Sequence, residues 1–347
     1  MVITINRRAI GTGHPPYVIA ELSANHNGDL GQALQIIDVA VEAGADAVKI
    51  QTYRPDTITL KSNGPDFQIT EGLWAGRTLY DLYEWAHTPW EWHAHLFAHA
   101  AKRGITLFSS PFDPTAVDLL EELGAPAYKI ASFEAVDLPL IQYVASKGKP
   151  MIISTGMADL DEINEAVEAA RSAGASDLAL LHCVSGYPAP ASDYNLATLS
   201  DLASRFGAPV GLSDHTLDNT TAIAAIALGA SIVEKHVTLD RTGGGPDDSF
   251  SLEPNELKAL CTGARTAWEA VGKIDYGRKS SEIANVKFRR SLYFVKDMSE
   301  GEVITKECVR SVRPGYGLPP KMLSSLLGKV MKNNVVKFSP VSEPDIE

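Results

Sequence analysis

With 347 residues, 45% of them hydrophobic and 21% charged, and a formal net charge of -12, the chain has the composition of a globular protein large enough for one big domain and a smaller one. The acidic balance excludes the basic face that a nucleic-acid surface needs, yet leaves room for a local cationic site that takes an anionic substrate. No run approaches the roughly 18 apolar residues of a membrane span, residues 1–8 lack the apolar core of a signal peptide, and Cys183, Cys261 and Cys308 form neither a CxxC pair nor a disulfide framework, so the cytoplasm is the expected compartment.

Through the first 240 residues one phrase recurs: a helix striped with apolar residues, then Gly-Ala, then a short strand. It stands as Gly44-Ala45 before Ala47–Thr52, Gly124-Ala125 before 127–132, Gly174-Ala175 before Leu178–Cys183, Gly207-Ala208 before 209–212, and Gly229-Ala230 before 231–233. Adding 17–22, 105–110 and 150–155 brings the count to eight strands, with helices predicted at Leu30–Ala43, 114–123, 161–173 and 219–228. Eight strands alternating with helices predict an α/β fold of the (β/α)8 barrel type; no GxGxxG turn supports a doubly wound sheet.

The connection 54–104 is too long for a barrel loop. It holds Pro89-Trp90-Glu91-Trp92-His93 and a helix over 91–102, and its first part, 53–88, has the polar and aromatic content of a substrate-covering excursion. After the eighth strand, residues 241–249 read as a flexible loop carrying carboxylates over the barrel mouth, and a helix over 253–271 closes the barrel. From Ser291 the pattern changes to short strands, 291–295 and 335–338, around Gly301 and Arg313-Pro314-Gly315-Tyr316-Gly317. The predicted division is a barrel domain at 1–272, a charged linker at 273–290 and a small domain at 291–347.

Barrel chemistry collects at the carboxyl ends of the strands. Here those ends carry Glu21; Lys49 and Gln51; Ser110; Lys129 and Ser132; Ser154 and Thr155; His182 and Ser185; Ser213 and His215; Glu234 and His236. The stretch Gly211-Leu212-Ser213-Asp214-His215, the apolar helix 219–228 and Val233-Glu234-Lys235-His236 form a strand, helix, strand unit that sets an imidazole at the end of each of two neighbouring parallel strands. Two such imidazoles can share a divalent ion that keeps positions open for substrate, or can be a hydrogen-bonded pair without metal. Lys49 and Lys129 read either as a Schiff-base lysine or as two cations holding a phosphate; the hydroxyls of Ser110, Ser132, Ser154 and Ser213 favour the second. Glu21 and Glu134 are acid/base or sugar-binding candidates, or solvated carboxylates at the rim. An aldolase with Lys129 as nucleophile and a carbohydrate-binding module on an inactive barrel are the readings from other classes.

Asn25-His26-Asn27-Gly28, Val48-Lys49-Ile50-Gln51-Thr52, Lys129-Ile130-Ala131-Ser132, Gly211-Leu212-Ser213-Asp214-His215, Glu234-Lys235-His236 and Ser311-Val312-Arg313-Pro314-Gly315 together resemble the sialic acid synthase family, the phosphoenolpyruvate-dependent nonulosonic acid synthases. The likeness runs over essentially the whole chain, and the tail resembles the antifreeze-like, or SAF, domain. Gly72-Leu73-Trp74, Thr78-Leu79-Tyr80-Asp81-Leu82-Tyr83 and Thr88-Pro89-Trp90-Glu91-Trp92-His93 are most similar to the branch of the family that makes pseudaminic acid.

That resemblance implies a metal-dependent condensation of phosphoenolpyruvate with the open-chain aldehyde of an acetamido sugar. The sugar would be 2,4-diacetamido-2,4,6-trideoxy-L-altrose, with the substrates of sialic or legionaminic acid synthesis as the alternative. His215 and His236 would hold the ion, Mn2+ first and Mg2+ or Co2+ as alternatives; Glu21, Glu134 and His236 would be catalytic. Lys49, Ser110, Lys129, Ser132, Ser154 and Ser213 match phosphoenolpyruvate-binding positions of the family, and Gln51, Tyr187, Asp247 and Arg313 match sugar-binding ones. Arg313 would reach the barrel of a second subunit, which implies a domain-swapped homodimer. One departure stands out: Ser185 occupies a position where sialic acid synthases carry asparagine.

Overall fold

The computed structural model describes all 347 residues and divides into two compact units, Met1–Gly272 and Lys273–Glu347. The first opens with an antiparallel hairpin, β1 (Val2–Ile5) and β2 (Arg8–Gly11). Eight parallel strands follow and close into a barrel: β3 (Tyr17–Glu21), β4 (Ala47–Thr52), β5 (Thr106–Pro111), β6 (Tyr128–Ile130), β7 (Met151–Ser154), β8 (Leu178–Cys183), β9 (Val210–Asp214) and β10 (Ile232–His236), with β10 pairing back onto β3. The (β/α)8 expectation is met strand for strand, with two barrel helices, Leu138–Ala145 and Thr198–Phe206, beyond those named from the sequence.

The alternation of side chains along each strand sorts the barrel into layers. Outward residues such as Val18, Val48, Ile50, Leu107, Leu180, Leu212 and Val233 join the surrounding helices in the main core. Inward residues Tyr17, Ile19, Ala47, Phe108, Ile152, Ala179, Leu181 and Ile232 fill the lower half of the barrel. One step higher, the inward positions turn polar, and that change of chemistry at constant parity makes the site.

The recurrent Gly-Ala has a mechanical cause. Gly44, at φ 85°, ends the helix Leu30–Ala43 in the left-handed conformation, and the next amide, Ala45 N, donates back to Ala40 O at 3.0 Å. The same bond recurs from Ala125 to Leu120, Ala175 to Ala170 and Ala230 to Ala225. Each of these four Gly-Ala pairs is therefore a helix stop that satisfies orphan carbonyls and turns the chain inward to start the next strand, whereas at Gly207-Ala208 only Gly207 N bonds back, to Ala203 O.

The hairpin at the start was not foreseen. Asn6 and Arg7, both with positive φ (44° and 68°), make a two-residue turn between strands that present Ile3, Ile5 and Ile10 to the lower barrel layer, where they plug its amino-terminal end. The second unit also differs from expectation. β11 (Ser291–Phe294) pairs antiparallel with β12 (Val309–Val312), and no strand forms at 335–338. Val335 makes a single bridge to Met298, while Val336 and Phe338 are 68% and 72% exposed; apolar residues that bury nothing gain nothing from strand geometry. The core of this unit is Leu292, Phe294, Met298, Ile304, Cys308, Leu326, Met331 and Val341. Residues 273–290 group with it and carry a 3-10 helix, Ser280–Phe288, that buries none of its side chains.

Candidate active site

At the carboxyl ends of the strands the first polar layer is a charge cluster. Lys49 Nζ lies 2.6 Å from Glu21 Oε2, 3.7 Å from Glu234 Oε1 and 3.3 Å from Ser110 Oγ. Lys129 Nζ lies 2.7 Å from the same Glu234 oxygen, to which Ser213 Oγ donates at 3.3 Å. All four ionised groups are buried, so none is tolerable without the others: an isolated ion here would cost several kcal/mol. Burial raises Glu21, and Lys49 offsets only part of that; at Glu234 the two lysines outweigh burial and hold the carboxyl low. Two cations facing two carboxylates, one of which accepts a proton readily, can present net positive charge to an incoming anion.

Hydroxyls ring this cluster. Ser154 Oγ is buried with no partner, and Ser132 Oγ accepts from Gly156 N at 3.2 Å. A Cβ on Gly156 would collide with Ser185 Oγ and stand 2.7 Å from Ser132 Oγ, so this backbone approaches the serines as only glycine can. Ser185 thus belongs to the hydroxyl cluster.

His215 and His236 face one another with ring centroids 5.4 Å apart. His215 Nδ1 donates to the Val184 carbonyl at 2.8 Å, which leaves Nε2 as the lone-pair nitrogen. His236 Nδ1 is buried without a hydrogen bond, 3.8 Å from Asp247 Oδ2, and burial, then the neighbouring His215, hold the ring well below its usual pKa. Tyr187 and Phe250 pack against the two imidazoles at 4.5 and 5.0 Å and fix their orientation. Nitrogens with free lone pairs beside the Asp247 carboxylate fit a divalent ion. No set of three or more His, Cys, Asp or Glu side chains converges on one point, so such an ion would keep positions for substrate and water.

Around the charge cluster and the imidazoles lies one cavity, lined also by Gln51, Ser132, Glu134, Tyr187 and Asp247. Gln51 Nε2 donates to Glu21 at 3.2 Å and to Ser23 Oγ at 3.0 Å, and Ser23 Oγ donates to Asp247 at 2.5 Å. Glu21, Ser110 and Ser154 lie in the layer beneath, fully buried. Arg313 belongs to the second unit, exposed just after β12.

Glu134, in the loop after β6, is pushed up to about 7 by burial and has one carboxyl oxygen without a partner. A carboxyl raised in the fold stabilises the native state below its unfolded pKa, and that contribution is lost as pH rises through the folded value. Glu134→Gln should therefore raise the melting temperature at pH 8 and leave it unchanged at pH 5. An equal shift at both values would show that Glu134 does not titrate in this range.

Two expectations need correction. The loop 241–249 is not loose: Asp248 accepts from Thr238 Oγ1, from Asn27 Nδ2 at 3.0 Å and from Gly245 N at 2.7 Å, and Trp74 Nε1 donates to Pro246 O at 2.9 Å. Asn25 Nδ2 ties the same region through Val237 O and Ser251 Oγ, so Asn25-His26-Asn27-Gly28 is a clasp between the loops after β3 and β10. His182 points away from the cavity, its ring bonded to the Tyr194 carbonyl, because Leu178, Leu180 and His182 share the outward parity of β8. The inward residue there is Cys183. Burial pushes its thiol up, but His215 outweighs that and brings it down to about 7. Cys183 and Phe250 are not among the residues singled out from the sequence, and Glu234 stands there only as a strand-end carboxylate. For Glu234 the signal existed, since it shares parity with His236; for Phe250 none did, because it comes in from a distant loop.

The comparisons with known proteins agree with this geometry. Residues 36–276 match the NeuB family and 289–347 the SAF domain. A pseudaminic acid synthase of Campylobacter jejuni is 44% identical over 95% of this chain and 96% of its own, and one of Helicobacter pylori 41% identical over 96% and 98%. The crystal structure of the spore coat polysaccharide biosynthesis protein SpsE of Bacillus subtilis superposes with a TM-score of 0.69 at 32% identity, covering 100% of this chain and 99% of that one. By sequence, by fold and by the residues it gathers at the barrel mouth, the chain belongs to the NeuB family and ends in a SAF domain.

Proposed function

We propose that this protein condenses phosphoenolpyruvate with 2,4-diacetamido-2,4,6-trideoxy-L-altrose and water to give pseudaminic acid and phosphate. The observation that carries the reading is the meeting, in one cavity, of a lysine pair ringed by hydroxyls with two imidazoles that each keep a lone-pair nitrogen. Lys49, Lys129, Ser110, Ser132, Ser154 and Ser213 bind phosphoenolpyruvate, the lysines neutralising its charge and the hydroxyls fixing its orientation. Gln51, Tyr187 and Asp247 hold the sugar, with Arg313 contributed by a partner chain. A divalent ion on His215 and His236, Mn2+ or else Mg2+ or Co2+, would supply electrophilic polarisation of the aldehyde.

Carbon three of phosphoenolpyruvate forms the new bond to the aldehyde carbon, whose oxygen takes a proton and becomes a hydroxyl. Water adds at carbon two of the enolpyruvyl unit with loss of one proton, and as the bond from that carbon to the phosphate oxygen breaks, the new hydroxyl gives its remaining proton to the departing phosphate and leaves the 2-keto acid. Glu134, raised to about 7, can exchange that proton at neutral pH, and Glu21 can hold the proton given up by water. Phosphoenolpyruvate is a cytoplasmic metabolite, which supports that compartment; no helix of the chain is long and apolar enough to cross a membrane. The division into barrel (1–272), linker (273–290) and tail (291–347) is part of the same proposal.

Phosphate release from phosphoenolpyruvate, measured with and without Mn2+, tests this directly. Release that needs both the metal and the altrose-type sugar is the expected result. Preference for N-acetylmannosamine would move the protein to sialic acid synthesis, and release from no sugar would overturn the condensation.

A further inference from the structure

We infer that the excursion between β4 and β5 makes the cavity selective for the methyl-bearing far end of its sugar, and that Ile58, Tyr83 and Ala86 are specificity-determining residues; this rests on the condensation proposed above. The cavity has two unlike sides. The strand ends give it lysines, carboxylates, hydroxyls and imidazoles, whereas Tyr53, Ile58, Leu82, Tyr83, Ala86 and Phe112 face it with rings and aliphatic groups. Leu82, Tyr83 and Ala86 come from one side of the helix Leu79–Ala86, which is capped by Thr78 accepting from Asp81 N at 3.0 Å. Tyr53 packs edge-on against Tyr83 at 5.7 Å and Phe112 at 5.1 Å, and its carbonyl accepts from Trp90 Nε1 at 3.1 Å. The wall is therefore a fixed surface belonging to the barrel.

Placement of the reacting atoms decides what meets that wall. The aldehyde must lie at His215 and His236, and the enolpyruvyl carbon above Lys49 and Lys129, so the opposite end of the open-chain sugar runs toward the excursion. There an acetamido methyl and a C6 methyl lose water against hydrocarbon and gain from it. A hydroxyl and a hydroxymethyl in the same places would lose their water partners and find few replacements. Tyr53 and Tyr83 also line the cavity with phenols, polar groups in an otherwise hydrocarbon side that can bond the amide of a second acetamido group. One matched or mismatched group in such a pocket is worth roughly 10- to 200-fold in kcat/KM.

The test uses the full chain with phosphoenolpyruvate and Mn2+, reading kcat and KM by phosphate release for three sugars. These are the 2,4-diacetamido-2,4,6-trideoxy sugar, its analogue with a hydroxyl at C4, and N-acetylmannosamine. Two variants at half-buried positions, Ile58→Asn and Ala86→Leu, probe the wall without removing core packing. The wild-type chain should lose about tenfold or more at each step of the series. Ile58→Asn should shrink that preference about tenfold by raising KM for the trideoxy sugar, and Ala86→Leu should raise KM for the diacetamido sugar more than for N-acetylmannosamine. Wild-type turnover of the diacetamido sugar with both variants keeping the wild-type preference would overturn the wall while leaving the condensation standing. Preference for N-acetylmannosamine would also overturn it, and silence with every sugar would remove the condensation and this inference together.

Discussion

His236→Ala should reduce phosphate release by about a thousandfold, on the order of 4 kcal/mol of transition-state stabilisation, with the melting temperature within a few degrees of the parent chain. The imidazole stands at the end of β10, and its Nδ1 has no hydrogen-bond partner to leave behind when the ring is removed. It borders the cavity at the barrel mouth, so truncation enlarges an existing space instead of creating a sealed void in the core. Chelation of the wild-type protein should cause the same loss, reversed by Mn2+ in the parent and not in the variant. Activity within about tenfold of the parent would remove His236 from the ion and from the reaction.

Lys129→Ala should be inactive for a different reason, and less stable as well. Glu234 would keep Lys49 as its only cation, 3.7 Å from the oxygen that now has Lys129 at 2.7 Å, with the Ser213 hydroxyl at 3.3 Å, and a buried carboxylate that loses its nearest cation costs about 3 kcal/mol. The same change removes one of the two charges that would meet phosphoenolpyruvate. A mixture of this variant with Arg313→Ala, refolded or co-expressed, separates two arrangements of the tail. If each tail completes the partner's barrel, mixed dimers have one intact site in two, and half of the dimers are mixed, so about one quarter of wild-type activity should return. No rescue would exclude the swapped tail, because a tail that serves its own barrel leaves every chain in the mixture defective.

Much of this molecule is readable from short-range chemistry. The Gly-Ala repeat marks helix stops whose geometry is set within six residues, as in Ala40 to Ala45, and the eight strands follow from it. Polar residues at strand ends are legible because parity carries them inward with their apolar neighbours: Ile19 and Glu21, Ala47 and Lys49, Ile152 and Ser154, Ile232 and Glu234. His182 stands at the end of β8 too, but it shares the outward parity of Leu178 and Leu180 and so turns away from the cavity. The strand expected at 335–338 failed for a related reason, since local apolarity predicts a strand only when a partner face buries it.

The sequence by itself determined the barrel, the family likeness and the identity of the lysines, serines and histidines at the mouth, because each depends on spacing along one strand or one turn. Only the tertiary structure decided which carboxylate shares both lysines, that Phe250 and Tyr187 set the imidazoles, and that Asn25 and Asn27 clasp the loop carrying Asp247. Those pairings join residues up to 226 positions apart, as from Asn25 to Ser251. Their energies come from burial and from pairing buried donors with acceptors, quantities that exist only once the chain has closed on itself.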